Sequence, residues 1–234
     1  MKNEIVCKNC QTLNPFHELT CRNCKSYLRE RVYNLDLWKL LEQLIESPKN
    51  GFTKIIYSEQ KNFIVFIILI ASFKFYLNTI FFFLTNPLTN LSSANIIRNY
   101  LILLLSVVVI ISLFSLLIKI TNQISGLVTR VKDIFSILSY SLIPNIFALA
   151  IFFPLELIFF GEYLFSNNPS PFIIKETVAY IMLVLELLLV VWTFFLAIMA
   201  SYTLTKNVFC AIVMGILFGL LMFGSQFVLS FYLY

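Results

Sequence analysis

Five stretches of the chain carry apolar residues with almost no polar interruption: 63–84, 97–118, 134–160, 178–200 and 208–233. Crossing a hydrocarbon core takes roughly 20 apolar residues at helical rise, so each stretch is long enough to span a membrane. Ahead of Phe63 the texture changes. From Leu35 to Ser47 the apolar residues Leu37, Trp38, Leu41, Leu44 and Ile45 fall at helical spacing, which predicts an amphipathic helix. Asn34 is its expected N-cap, and Pro48 with Gly51 its expected end. Such a helix suits the bilayer interface, or buries its apolar face on neighbouring protein; the pattern leaves both open. A short segment, 52–60, then leads into the membrane. The predicted fold class is an all-α polytopic membrane protein with five transmembrane helices, preceded by a small cysteine module and the amphipathic helix. The boundaries read 1–30 for the module, 31–60 for the juxtamembrane helix and linker, and 61–234 for the membrane domain.

Composition supports this division. Hydrophobic residues make up 59% of the chain and charged residues 12%, whereas a soluble domain is normally about a quarter charged. The first strongly apolar run begins only at Phe63, behind a charged segment, so no secretory signal is predicted. Ten of the lysines and arginines precede Phe63. Lys119, Arg130, Lys132 and Lys206 fall in the second and fourth loops, while only Arg98 and Lys175 fall near the first and third. By the positive-inside rule the amino terminus is cytoplasmic and the carboxyl terminus, at Tyr234, faces outward. The net charge of +5 is read as this topology signal. Basic residues alternate with acidic ones and form no recognised binding motif, so no nucleic-acid partner is expected.

The most specific signal lies in the first module. Cys7-Lys8-Asn9-Cys10 and Cys21-Arg22-Asn23-Cys24 are two Cys-x-x-Cys pairs. Each can turn two thiolates toward one ion, and together they complete the tetrahedral four-sulfur shell that a structural zinc prefers. Lys8, Arg22 and Lys25 are placed to offset its negative charge, and Asn14-Pro15 is read as a turn between the pairs. A reducing cytosol disfavours disulfides, and a thioredoxin-type redox pair would need a βαβ context that is missing. Iron stays open as an alternative occupant. His17 is expected to be solvated, because four cysteines already fill the shell. A closed shell has no position for water, so the expected cofactor is one structural Zn2+ rather than a catalytic one.

Three charges are embedded in the apolar runs. Lys74 stands near the middle of the first, where a charge costs at least ~2.5 kcal/mol, so it should have a partner. Glu186 in the fourth run can supply one if those two helices touch, and a packing ion pair is favoured over a conduction path. Glu156 is expected near the outer end of the third run, within reach of the interface. Pro144 and Pro154 each remove a backbone donor inside that run, which makes them kinks and a candidate hinge. Gly215 and Gly219 form a small-xxx-small pair that suits either internal packing or a homo-oligomer face. Cys210, alone in an apolar run, reads as a small buried hydrophobe.

Phe135-Ser136-Ile137-Leu138-Ser139-Tyr140-Ser141-Leu142-Ile143-Pro144 resembles the Yip1 domain family, where a short loop leads into a helix with a serine-tyrosine pair followed four residues later by proline. Pro48-Lys49-Asn50-Gly51-Phe52-Thr53-Lys54-Ile55-Ile56 resembles that family's approach to its first span, and the five spans match in number. The resemblance covers about residues 48–233. It implies a membrane protein of a family linked in eukaryotes to small GTPases and vesicle traffic, and mostly of unassigned role in bacteria. Because an amino-terminal zinc ribbon is common in the bacterial versions, it also implies a bacterial inner membrane. A second bacterial family joins a zinc ribbon to several spans, but its usual glycine after the last cysteine is replaced here by Lys25.

No catalytic constellation is visible: the one histidine is in the cysteine module, and there is neither a serine elbow nor a glycine-rich phosphate loop. The chain is therefore read as a non-enzymatic scaffold or adaptor in the lipid bilayer, presenting its cytosolic module to a protein partner. The alternative is a small transporter or channel using Lys74, Glu156, Glu186 and the proline-kinked third span.

Overall fold

The computed structural model describes residues 4–84, 96–166 and 168–233. The first loop, 85–95, and Tyr234, where the outward carboxyl terminus is expected, lie outside the described residues. Two short strands, β1 (Glu4–Val6) and β2 (Leu13–Pro15), pair antiparallel and are followed by helices α1 (Leu37–Glu46) and α2 (Pro48–Tyr57). Then come α3 (Ile64–Leu84), α4 (Ile96–Ile124), α5 (Val131–Tyr140), α6 (Ile143–Phe147), α7 (Phe153–Phe160), the single turn α8 (Pro171–Ile174), α9 (Glu176–Thr205) and α10 (Val208–Leu233). Five segments are long and apolar enough to cross a membrane: Ile64–Leu84, Ile96–Ile124, Val131–Phe165, Glu176–Thr205 and Val208–Leu233. The protein is thus a multi-pass integral membrane protein. The second and fourth spans run past the apolar stretches that predict them, because their last turns carry polar residues such as Lys119, Asn122 and Thr205.

Packing divides the chain into two units. The first comprises Met1–Val65, Ile111–Ser141 and Phe195–Phe218, and the second Phe66–Ile110, Leu142–Phe194 and Gly219–Tyr234.

In the first unit, α1 is capped by Asp36 rather than Asn34. The Asp36 carboxylate accepts from the backbone N–H of Trp38 at 3.1 Å and of Lys39 at 3.3 Å, which satisfies two of the donors a helix start leaves unpaired. Pro48 does not end the helical region. It opens α2 from the first turn, where its missing N–H costs nothing. A Cβ on Gly51 would come within 3.0 Å of the Leu44 side chain, so the bare glycine lets α1 and α2 pack closely. Leu40 and Leu44 of α1 are buried, as are Phe52, Ile55 and Ile56 of α2, whereas Trp38 (79% exposed) and Ile45 are not.

Residues 31–33 then run beside 58–60. Glu59 N–H donates to Val32 O at 2.9 Å, Gln60 N–H to Tyr33 O at 3.0 Å, and Arg31 grips the Glu59 carboxylate through two nitrogens at 2.8 and 3.0 Å. Next in sequence, Lys61 Nζ stands 3.0 Å from Asp133 Oδ1 and donates to the carbonyls of Ile55 and Ile56. The side chains of this pair are only 3% and 2% exposed. Burial pushes the Lys61 ammonium below the ordinary lysine range, and Asp133 opposes that shift. The second carboxylate oxygen of Asp133 accepts from Arg130 Nε at 2.8 Å. The second loop is thus shorter than the apolar pattern suggests: α5 starts at Val131 and takes Asp133 into its first turn, where the helix dipole also favours a negative charge. The Tyr140 hydroxyl donates to Asn62 O, a second tie between α5 and the pre-membrane segment.

The third span is segmented. Its chain turns at Ser141 and Leu142, resumes as α6 with Pro144 in the first turn, widens into a π turn at Ala148–Phe152, and continues as α7 with Pro154 near its start. A proline clashes with the carbonyl four residues before it; the wide turn preceding Pro154 takes up that clash. In the second unit α6 packs on α9 through Phe147 and Trp192, α7 packs on α9 and on Phe81 of α3, and Phe75 and Phe194 flank Phe223 at 5.7 and 5.8 Å between ring centroids. The small-residue pair is used within the chain. A Cβ on Gly215 would fall 2.7 Å from the Ile198 backbone, and one on Gly219 would fall 2.4 Å from the Phe194 ring.

The Lys61–Asp133 contact makes a definite prediction. Asp133→Asn leaves an ammonium buried without its counter-charge, which costs about 3–5 kcal/mol. The thermal unfolding midpoint of the purified protein in detergent should drop sharply, and the double variant Lys61→Met/Asp133→Leu should regain most of the loss. An unchanged midpoint in Asp133→Asn would contradict the pairing.

Candidate metal centre

The two cysteine pairs fold as two copies of one turn. In the first, Cys7 N–H donates to Thr12 O at 3.0 Å and Gln11 N–H to Cys7 O at 3.0 Å. In the second, Cys21 N–H donates to Ser26 O at 2.8 Å and Lys25 N–H to Cys21 O at 3.1 Å. Each turn closes on a left-handed residue, Gln11 at φ 56° and Lys25 at φ 60°. Glycine ordinarily takes this conformation, so Lys25 occupies the glycine position without changing the turn. Asn14 and Pro15 form part of β2 rather than a turn. The buried Asn14 side chain joins the two copies, donating to Thr12 O at 2.9 Å and accepting from Arg22 N–H at 2.9 Å.

This folding brings the four sulfurs of Cys7, Cys10, Cys21 and Cys24 within 4.8 Å of one another. The Cys7–Cys24 and Cys10–Cys21 separations are both 3.5 Å, and all four cysteines are free. A disulfide would require about 2.05 Å. A tetrahedral shell with metal–sulfur bonds of about 2.3 Å has edges of about 3.8 Å, so the sulfurs already stand close to the separations a metal ion requires. Donors surround them. Ser26 Oγ lies 3.2 Å from Cys7 Sγ and 3.0 Å from Cys24 Sγ, Thr12 Oγ1 lies 3.2 Å from Cys10 Sγ, and Asn14 Nδ2 lies 3.5 Å from Cys21 Sγ. The Ser26 hydroxyl, with the backbone around Cys10 and Asn9, draws the Cys7 thiol down to about 6, toward the thiolate that binds metal. The cluster can therefore hold one metal ion.

The surrounding charges differ from expectation in two places. Arg22 does not serve the sulfurs alone, since its guanidinium pairs with Glu18 at 2.9 Å. His17 is buried rather than solvated and stands apart from the four cysteines, with Nε2 3.6 Å from Glu18 Oε1. Burial, reinforced by Arg130, pushes it below the usual histidine range.

The module is anchored to the rest of its unit. Arg29 donates to the carbonyls of His17, Glu18 and Glu30 and lays its guanidinium 4.1 Å above the Tyr57 ring. Phe16 packs on the same tyrosine at 5.0 Å, and Lys206, in the turn between α9 and α10, places its ammonium 4.9 Å from the Phe16 ring.

A second set of polar residues lies within the second unit. Lys74 Nζ is 2.8 Å from Glu186 Oε1. Glu156 is buried against neighbouring helices: it is 9% exposed, and its Oε2 has no hydrogen-bond partner among the described residues. Uncharged groups that the apolar pattern obscures also meet here, with Asn78 donating to Gln226 at 2.9 Å, Asn99 to Leu233 O at 3.0 Å and Asn145 to Thr193 at 3.4 Å. Pro144 and Pro154 stand at the starts of α6 and α7, on either side of the π turn.

Fold and site together define a multi-pass membrane protein with a metal-competent four-cysteine cluster. Comparison with protein-family models, with curated proteins and with solved structures finds no match.

The hydroxyl around the sulfurs is open to test. Outer-shell partners of metal ligands typically contribute 10–100-fold in affinity. Ser26→Ala should weaken metal binding about 10–100-fold in chelator competition, while Cys21→Ser should abolish retention of one ion per chain. Full metal retention by Cys21→Ser would contradict the site.

Proposed function

We propose that the chain is a non-enzymatic membrane adaptor whose amino-terminal module is a zinc ribbon on the cytosolic side, presenting a surface to a protein partner. Zinc is the proposed occupant because four thiolates in a closed shell match its structural sites and leave no position for substrate or water. The distribution of basic residues supports the cytosolic orientation. So does the placement of the module beside Arg130 and Lys206, which belong to the second and fourth loops. The membrane part is read as Yip1-like on the spacing of residues 48–56 and 135–144.

One observation carries the adaptor reading. Val6 and Leu13 stand directly opposite each other on the β1–β2 hairpin and are 56% and 55% exposed, and Tyr27 in the second turn is 74% exposed. These are large apolar groups on a small, anchored module that faces water in this orientation. Aromatic and aliphatic anchors of this kind supply the buried centre of protein interfaces.

Leu13→Asp combined with Tyr27→Asp should leave metal content and unfolding midpoint unchanged, since neither side chain packs inside the module. It should abolish photo-crosslinking from a probe at Val6 to a partner protein in intact cells. Crosslinking that persists in the double variant, or is absent from the unmodified chain, would contradict the adaptor reading.

A further inference from the structure

Glu156 presents an unmet demand in the second unit. Its carboxyl group is nine-tenths buried, and one oxygen is shut off from solvent with no donor in reach among the described residues. It belongs to α7, the helix that resumes after the π turn, and Glu156 falls in its first turn. π turns inside helices recur at functional sites. The charged groups that act on Glu156 are Lys74 of α3 and Glu186 of α9. Lys74 is already committed, with its ammonium 2.8 Å from Glu186 Oε1. The ammonium is thus paired with the other acid, and no salt bridge reaches Glu156 among the described residues. An isolated ionised carboxylate in such a setting is unfavourable unless a positive charge joins it.

We propose that Glu156 is the ligand of a membrane-embedded monovalent-cation site, taking either a proton or an alkali cation such as Na+ at its free carboxylate oxygen. The Lys74–Glu186 pair fixes the charge balance of this site: the pair is neutral, and the third group binds one positive charge to make the cluster neutral. The site is independent of the cysteine module and does not rest on the adaptor reading. It does not by itself require transport.

Dicyclohexylcarbodiimide tests it directly. This apolar reagent adds to protonated carboxyl groups within membranes and leaves a stable N-acylurea that peptide mass spectrometry can assign to one residue. The purified full-length protein in detergent should be labelled at Glu156, with labelling falling as pH is raised. If Na+ at fixed ionic strength, compared with choline, suppresses the labelling, the alkali cation is a ligand; if Na+ has no effect, the ligand is the proton alone. Glu186→Gln should also reduce labelling at Glu156, because it frees the Lys74 ammonium to act as the counter-charge. A merely accessible carboxyl group would not respond to that change. Each variant is checked for an unfolding midpoint and gel-filtration profile like those of the parent, and Lys74→Met, expected to increase labelling at Glu156, serves if Glu186→Gln fails to fold. Absence of label on Glu156 in folded parent protein, or labelling indifferent to the charge of the pair, would overturn the proposal.

Discussion

A charge removed from water must meet an opposite charge or lose its own, and this chain meets that constraint in two places. In the first unit Lys61 and Asp133 are almost completely buried, 3.0 Å apart, with Arg130 on the second carboxylate oxygen. Much of the unit depends on this contact. Lys61 follows directly on residues 58–60, which run beside 31–33, and Asp133 meets it from the first turn of α5. Single-partner loss is expensive because it strands the other charge, so the pair specifies arrangement more than it adds stability. In the second unit Lys74 and Glu186 obey the same rule, while Glu156 Oε2 finds no hydrogen-bond partner among the described residues.

The cysteine module connects to this framework rather than hanging from it. Its turns are fixed locally by the backbone bonds around Cys7 and Cys21, and Asn14 ties one turn to the other. Arg29 and Phe16 then transfer that order to Tyr57 at the end of α2, and Lys206 reaches Phe16 from the turn between the last two spans. A small module with few apolar residues of its own gains stability from such contacts, and an ion held by the four cysteines would couple metal binding to folding. The linked elements also explain why His17 is buried and Arg29 partly so, although neither is a sulfur neighbour.

How much of this was legible in the sequence depended on range. Apolar length alone located all five spans, and Cys-x-x-Cys spacing located the four cysteines that come together, because both signals are local. The repeat Cys-basic-Asn-Cys-x-Thr/Ser was also local, and it would have pointed to Thr12 and Ser26 as donors to sulfur. Lys61 and Asp133 gave no such signal: each lies outside the apolar runs and far from the other in sequence, and their pairing depends on tertiary packing. Counting residues along the third run put Glu156 near its outer end but could not show that the side chain is buried against other helices, which is a matter of tertiary packing. The prolines of that run marked where the breaks would come, but the π turn between them sets the register of α7. Asn34 and Asp36 are both good cap residues, and only the register of α1 decides between them.

The cysteine module, α2 and the start of α5 form one cooperative unit through Arg29, Phe16, Tyr57 and the Lys61–Asp133 pair. Hydrogen–deuterium exchange of the full chain in detergent, before and after removal of the metal by a chelator, tests this most directly. Exchange should rise at residues 4–30 and also across α2 and the start of α5, since Arg29, Phe16 and Tyr57 lose their common support. A rise confined to residues 4–30, with α2 and α5 protected as before, would contradict the account.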